Sequence, residues 1–564
     1  MYIRTVQRKN KDGSVVRYVQ LAHNFRDPET HKPQANVLWS FGREEDVDKE
    51  ALRRLVASIN RFLGPEEELK QEVGAGGAPL EFKESRPLGG GWVLDSLWRE
   101  LGIDKAIEKV TAARGFRTPV ERAIFAMVAN RALDPRSKLA VEEWVERDVS
   151  LPGVEGVGVQ QLYRAMDVLI EAGEALQKEV FFSVADLLNL EVDLLFFDTT
   201  STYFEIEGED PEEGDDAYFL RRRGHSKDHR PDLAQAVIGL AVTREGIPIR
   251  CWVWPGNTAD VTRIEEVKKD LVGWRLGRVI TVVDRGFVSE ENLRTLQRAG
   301  GHYIAGERMQ SGKPAVEEAL SRAGRYQKVN DRVEVKEIVV GDGEARQRFV
   351  LVRNPREEER DRAERERILK ELEQELEGLS RMDKHEHGKG VCRLVSHPTY
   401  GRYLKLDKKG WPQIDRAKVK AEERLDGKYL LRTSDDTISA ADVALGYKQL
   451  LEVEDAFRML KQTLDLRPIY HRLSRRIQAH VLLCWLALLL IRVIETRVEE
   501  RLGQRYTWPR LRDELSRMHL GIFEGPAGVV WQRTGTTAFQ HQILSALGME
   551  EPPRFFKMDP RKPV

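Results

Sequence analysis

Cysteine is nearly absent from this chain: Cys251, Cys392 and Cys484 are scattered among 564 residues. An odd, dispersed set builds neither a disulfide framework nor a zinc knuckle, and it fits a reducing cytoplasm. Long apolar runs are missing too. The best, VLLCWLALLLIRVI from Val481 to Ile494, is about 14 residues long and contains Arg492, so a buried helix is expected rather than a bilayer span. The opening residues, MYIRTVQRKNKDG, lack the apolar stretch of a secretion signal. Net charge is small as well, 91 Lys and Arg against 92 Asp and Glu. The overall charge therefore does not announce a nucleic-acid partner, and no membrane association is expected. What remains is an ordinary globular composition, 41% hydrophobic and 32% charged. Its length allows roughly three to four domains.

Charge distribution says more than the sum. Basic residues outnumber acidic ones from Met1 to Arg43, and Arg221, Arg222, Arg223, Lys227 and Arg230 crowd one loop. Downstream of Glu454, the basic residues Arg458, Lys461, Arg467, Arg472, Arg475 and Arg476 dominate. An acidic run from Glu205 to Asp216 and a mixed helix, PREEERDRAERERILKELEQELEGL, stand against them. Local basic patches on a neutral chain are compatible with DNA binding without proving it.

Residues 1–75 read as a small α+β domain. Short strands with turns at Asp12-Gly13 and Asp27-Pro28 precede a helix, DKEALRRLVASINRFLG, closed by Gly64, and the stretch GAGGAPL follows as a linker. Residues 90–190 are helical in pattern; PVERAIFAMVANRAL opens with Pro119 after Thr118, a favoured helix start. At Val192 the period changes. Strands VDLLFFD, LAQAVIGLAV and IPIRCWVW are followed by a helix (about Thr262 to Leu271), VITVVD, a helix SEENLRTLQRAG and a strand HYIAG. This order predicts an α/β fold with a ribonuclease H-like mixed sheet, its first part in 191–308. The completing helix is delayed by about 130 residues, too many for a loop, so 309–435 is expected to be an inserted domain. That helix begins after Thr437-Ile438-Ser439 and is expected to run through Tyr447, Glu454 and Lys461, in a second core part at 436–500. Residues 501–564 complete the chain as a helical region.

Candidate chemistry sits at the strand ends. Asp198 follows VDLLFF and Asp284 follows VITVV, strands apolar on both faces and therefore central. Either aspartate alone could equally cap the turn after it. Two of them at the mouths of neighbouring strands are a different matter, because like charges close together call for a cation. Glu454 lies seven residues after Tyr447 and seven before Lys461, so one continuous helix would present all three on one face. The spacing alone is met as well by an exposed face with Glu454 paired to Arg458. His225, Lys227, His229 and Arg230 form a basic loop that suits a phosphate backbone, or simply solvent. His471 with Arg472, Arg475 and Arg476 forms another phosphate-binding candidate.

The segments FDTTSTYFE, GHSKDHRPDLAQAVIG, PGNTAD, VVDRGFVSEENL and YKQLLEVEDAFRMLKQTLDLRPIYHRLSRRIQAH change the weighting. In this order, across about Val192–Leu490, they resemble the DDE transposases of bacterial insertion sequences. The branch they are similar to carries a β-rich insertion domain and a YREK signature, Y-x2-R-x3-E-x6-K. NRALDPRSK and EEWV extend the likeness upstream. The resemblance implies that Asp198, Asp284 and Glu454 bind two catalytic Mg2+ (or Mn2+) ions. It also implies that Tyr447 and Lys461 contact DNA phosphates near the cleaved end. The signature arginine is replaced by Leu450, with Arg458 one turn past Glu454 as the candidate substitute.

The expected activity is cleavage of double-stranded DNA at terminal inverted repeats and transfer of the freed ends into a target. Recognition of the repeats would fall to the first 190 residues. A homodimer would synapse two ends, and the protein would work in the cytoplasm on the nucleoid. A transposase-derived regulator without chemistry, or a structure-specific nuclease of the same fold, are the competing readings. Phosphate contacts of this kind release counterions, so DNA affinity measured by filter binding should fall steeply between low and physiological salt. A flat response would contradict the basic patches named above.

Overall fold

A computed structural model describes residues 2–10, 15–26, 33–63, 80–111, 120–188, 190, 192–205, 208–210, 218–272, 274, 279–307, 309, 314–322, 324–343, 346–380, 384–525 and 528–560. The turns expected at Asp12-Gly13 and Asp27-Pro28, the cap at Gly64 and the linker from Gly74 lie outside the described residues, as do the Thr118-Pro119 start and most of the acidic run.

The chain divides into two compact units. One comprises Met1–Arg86, His519–Gly535 and Pro552–Val564. It holds an antiparallel three-stranded sheet, Tyr2–Lys9, Val15–Arg26 and Pro33–Arg43, followed by a helix at Lys49–Leu63. A four-stranded sheet runs in the order Phe555–Pro560, Gly528–Arg533, His519–Gly525, Glu81–Pro87. The expectation of a helical 501–564 is thereby corrected. That segment has helices at Trp508–Ser516 and Ala538–Ala546, but also three strands. Its HLGIFEG and GVVWQR runs pair antiparallel, with Gly525 opposite Gly528, because short β-branched and aromatic stretches favour a pleat.

The other unit, Pro87–Met518 with Thr536–Glu551, is built on a nine-stranded sheet. Its strands are β1 (Leu194–Tyr203), β2 (Gln235–Val242), β3 (Pro248–Pro255), β4 (Ile280–Val283), β5 (His302–Glu307), β6 (Gln327–Asn330), β7 (Val333–Val340), β8 (Gln347–Arg353) and β9 (Lys428–Thr433). They lie in the order β6-β7-β8-β9-β5-β4-β1-β2-β3. The β1–β4 and β4–β5 pairs are parallel, and every other pair is antiparallel. Side chains alternate between two cores. Leu195, Phe197, Val283 and Tyr303 pack under the helices Ile264–Val272 and Glu290–Gln297. Leu194, Phe196, Val282 and Ile304 face the opposite way, into the main core.

The main core contains α1 (Val120–Leu133), α2 (Lys138–Arg147), α3 (Val159–Glu171), α4 (Ala440–Lys448), α5 (Leu451–Gln462) and α6 (Ser474–Leu502). The apolar run from Val481 to Ile494 is buried throughout within α6, as its composition implied. α6 ends at Gly503, whose φ of 68° suits the left-handed cap.

Two expectations are refined. Residues 309–435 lie between β5 and α4, as expected, and most of their strands extend the core sheet, because β9 pairs antiparallel with β5 and carries β8, β7 and β6 outward from it. The open edge of β5 accepts another strand in this way. Only the helices Pro355–Ser380, Lys384–Ser396 and Arg416–Glu423, with a small hairpin, have a core of their own around Leu372, Tyr403 and Leu404. The delayed helix is also not continuous. Ser439 caps α4 through its side chain as anticipated, but α4 stops at Lys448 and α5 starts at Leu451. At the junction, Leu450 N bonds Tyr447 O and Val453 N bonds Leu450 O, the tighter three-residue pattern that kinks a helix.

Arg492 pins the start of α5. From the middle of α6 it forms an ion pair with Glu452 and lies 3.6 Å from Glu495, and it donates to Gly246 O at 3.3 Å in the β2–β3 turn. Gly246 has a φ of 75°, and a Cβ there would collide with the guanidinium. Arg492→Met should therefore lower stability by about 3 kcal/mol, the cost of stranding the partners of a buried pair. Urea denaturation checks this; a midpoint unchanged from wild type would contradict it.

Candidate active site

Asp198 and Asp284 are brought together by register. Phe197 pairs with Val283 across the parallel β1–β4 ladder, so the two aspartates are the next residues on adjacent strands, which lie about 4.8 Å apart. By alternation both follow Phe196 and Val282 onto the face covered by α4 and α5. Asp284 directly follows β4, as expected, and heads a short 3-10 turn without making a capping hydrogen bond. The capping alternative is thus removed for this residue. Asp198, by contrast, does not end its strand. β1 continues to Tyr203, pairing with β2 from Asp198–Leu240 to Tyr203–Gln235, because Thr199, Thr200 and Thr202 are good strand formers. Only the pairing with β4 ends there, since β4 itself stops at Val283.

Each carboxylate has a partner suited to a negative charge. Tyr447 donates its hydroxyl to Asp284 Oδ1 at 3.1 Å. Burial first, and then the Asp284 carboxylate, push the Tyr447 pKa well up, so the phenol keeps its proton. Lys227 Nζ lies 3.9 Å from Asp198 Oδ1 and donates to Thr199 O and Oγ1, both at 2.7 Å. Its loop is tied to β1 by Lys227 N donating to Ser201 Oγ at 2.9 Å. The cation set against Asp198 therefore comes from the basic loop between β1 and β2.

Glu454 is not brought into this cluster. It is exposed on α5, and among the described residues no three His, Cys, Asp or Glu side chains are arranged to hold a metal ion. The break at Leu450 is the physical reason the common face with Tyr447 fails, since two-turn spacing aligns residues only along one straight helix. Arg458 pairs with Asp455 rather than Glu454. Leu450, at the signature arginine's place, is buried in the core and makes no polar contact of that kind.

Lys461 also departs from expectation. It is mostly buried and bound to Asp228 Oδ1 at 2.7 Å, where Arg467 joins it at 2.5 Å. Burial lowers its pKa, against the pull of Asp228. Lys461 thus anchors the basic loop to α5. Of the remaining candidates, Arg230 is bound to Asp232 at 2.8 Å and lies over the Tyr203 ring, with Arg467 over the same ring. His229 is exposed at a φ of 56°, a conformation unusual for a residue with a Cβ. Arg472 is exposed. His471 is largely buried beside Tyr163 and His480, and burial pushes its pKa down to about 4, so it is neutral at physiological pH. Asp228 and Tyr203 were missed by sequence reasoning, and Arg467 was read only as part of a basic patch. The alternation of opposite charges in KDHR was the available signal for Asp228.

Two carboxylates with a phenol beside them are a hard, oxygen-rich donor set that fits part of a divalent-ion site. The comparisons give this arrangement its class. The family model for the N-terminal domain of IS1634-family transposases matches residues 3–71, and that for the transposase DDE domain matches residues 216–490. Asp284 and Glu454 fall inside the second match, while Asp198 precedes it. Among solved structures the chain is similar to a piggyBac transposase synaptic complex with hairpin DNA, at 11% identity and a TM-score of 0.36, over 76% of this chain and 80% of that one. No curated protein matches. The chain belongs to the insertion-sequence DDE transposases, enzymes that cut and join DNA and depend on a divalent metal ion.

Gly306 on β5 leaves the space that Tyr447 fills; a Cβ there would overlap the phenol hydroxyl and lie 2.8 Å from its Cζ. Gly306→Ala should cost about 1–3 kcal/mol by overpacking. In a Tyr447→Ala background the same change should cost little, a coupling that a double-mutant cycle in urea measures. Additive effects would contradict the placement of Tyr447.

Proposed function

We propose that this transposase nicks DNA at the terminal inverted repeats of its element and joins the freed 3′-ends to a target strand. In this proposal Asp198, Asp284 and Glu454 are the ligands of two Mg2+ or Mn2+ ions. The observation that carries it is the register-fixed adjacency of Asp198 and Asp284. Two like charges placed side by side raise each other's cost of ionisation unless a cation compensates them. Bound ions would activate the attacking oxygen and neutralise charge on the leaving one. Glu454 supplies the third carboxylate from α5, whose Val453, Ala456 and Phe457 pack into the core shared with β1. To reach an ion held by the two aspartates it would have to turn inward.

The chain's own groups do the rest. Tyr447 holds the Asp284 carboxylate in one orientation through its hydrogen bond. Lys227 faces Asp198 across 3.9 Å and would be free to meet a DNA phosphate if a divalent ion neutralised that carboxylate. Arg230, Arg458 and Arg472, all exposed, contact the phosphate backbone, and His229 lies in the loop of Arg230. Lys461 is a positioning residue that fixes that loop through Asp228. The fold of β1–β5 with α4 and α5 is read as ribonuclease H-like, on the support of its strand order and its parallel β1–β4–β5 core. Synapsis of two ends makes a homodimer the working form, acting at the nucleoid.

Asp198→Ala should abolish both nicking and strand transfer, by at least about a thousandfold, while leaving binding to an end-containing duplex nearly intact. Single-turnover assays in Mg2+ with a nicked-product readout decide this. Nicking that persists in the purified variant would contradict the assignment.

A further inference from the structure

Behind the loop that joins α5 to α6 lies a cavity of about 370 Å³, bordered by Arg131, Lys138, Tyr163, Arg467, His471 and His480. Its floor is unusual. Lys138 and Arg131 are each 4% exposed and His480 is 6% exposed, yet Lys138 Nζ, Arg131 Nε and His480 Nδ1 have no hydrogen-bond partner. Buried polar groups are nearly always satisfied, so three unsatisfied ones around one cavity call for an explanation outside the protein. The rest of the Arg131 guanidinium is held by neutral oxygens: Leu464 O and Asp465 O at 3.4 Å, Asn130 Oδ1 at 3.3 Å, and Arg136 O. The acidic side chains nearest Arg131 are Asp465, on the cavity wall, and Asp134, and neither pairs with Lys138.

We propose that this cavity binds a phosphate group of the DNA substrate, with Lys138 Nζ and Arg131 Nε as its donors. Two unsatisfied donors on basic side chains that line one cavity match the oxygens of a phosphate. Tyr163 and His471 give the cavity aromatic walls beside that floor. Arg467 borders the cavity and also pairs with Asp228, in the loop that carries Lys227 to Asp198. Arg467 thus links the cavity to the loop of the candidate active site, which favours a strand of DNA over free phosphate as the source. Burial, and then Arg131, push the Lys138 pKa down to about 7, so an arriving anion would restore the charge that burial opposes. None of this uses the metal-binding carboxylates; only the choice of DNA as source rests on the transposase reading.

The test uses the full chain without divalent metal, so that no cleavage is involved. Sodium phosphate is compared with sodium chloride at equal ionic strength, and a short duplex is titrated alongside, into wild type and Lys138→Met. Phosphate should raise the thermal midpoint more than chloride does, and Lys138→Met should weaken phosphate binding at least tenfold. Duplex binding that weakens in Lys138→Met without any effect of inorganic phosphate would identify the strand as the source and still support the site. A second measurement needs no variant: phosphate, but not chloride, should slow acetylation of Lys138 read by mass spectrometry. Equal binding of both probes by wild type and Lys138→Met would overturn the proposal. Should that variant not fold, equal acetylation of Lys138 with phosphate, duplex or chloride would overturn it.

Discussion

The pairing of Phe197 with Val283 governs the chemistry of this molecule. A parallel ladder fixed there leaves Asp198 and Asp284 as the next residues on two adjacent central strands, and a shift of one position would send one carboxylate to the opposite face. Apolar packing on both faces of β1 and β4 enforces that register. The aspartates inherit their adjacency from the core beneath them.

Adjacency of like charges has to be compensated, and two distant parts of the chain supply the compensation. The β1–β2 loop delivers Lys227 to Asp198, and α4 delivers Tyr447 to Asp284. Each delivery has its own support. Asp228 ties the loop to Lys461 and Arg467, and Gly306 leaves room on β5 for the Tyr447 ring. Arg492 holds the start of α5 against α6 and the β2–β3 turn, fixing where the helix that carries Glu454 begins. An ammonium at 3.9 Å from Asp198 is a weak, displaceable counterion, while a divalent ion between two carboxylates is a strong one. In the proposed function the second would replace the first.

Much of this was legible in the residues. Runs such as LLFF and ITVV declared central strands, the wholly apolar stretch from Val481 declared a buried helix, and Ser439 declared a helix start. Local pattern carries that information because burial period and capping chemistry are local. Three features were not legible, each for a tertiary reason. The helix expected through Tyr447, Glu454 and Lys461 breaks at Leu450, whose side chain enters the core, and spacing cannot reveal a break that packing imposes. The strands after His302–Glu307 join the existing sheet because its edge was open, which no property of the segment itself records. Lys461 reads as a free cation in sequence, but Asp228, its partner, lies more than two hundred positions earlier.

The most direct measurement is anomalous diffraction from crystals soaked in Mn2+. A peak between the Asp198 and Asp284 carboxylates, with the Lys227 ammonium drawn away from Asp198 and Glu454 turned toward the ion, is the predicted result. A peak elsewhere, or none at this pair while Lys227 keeps its place at saturating metal, would contradict the account.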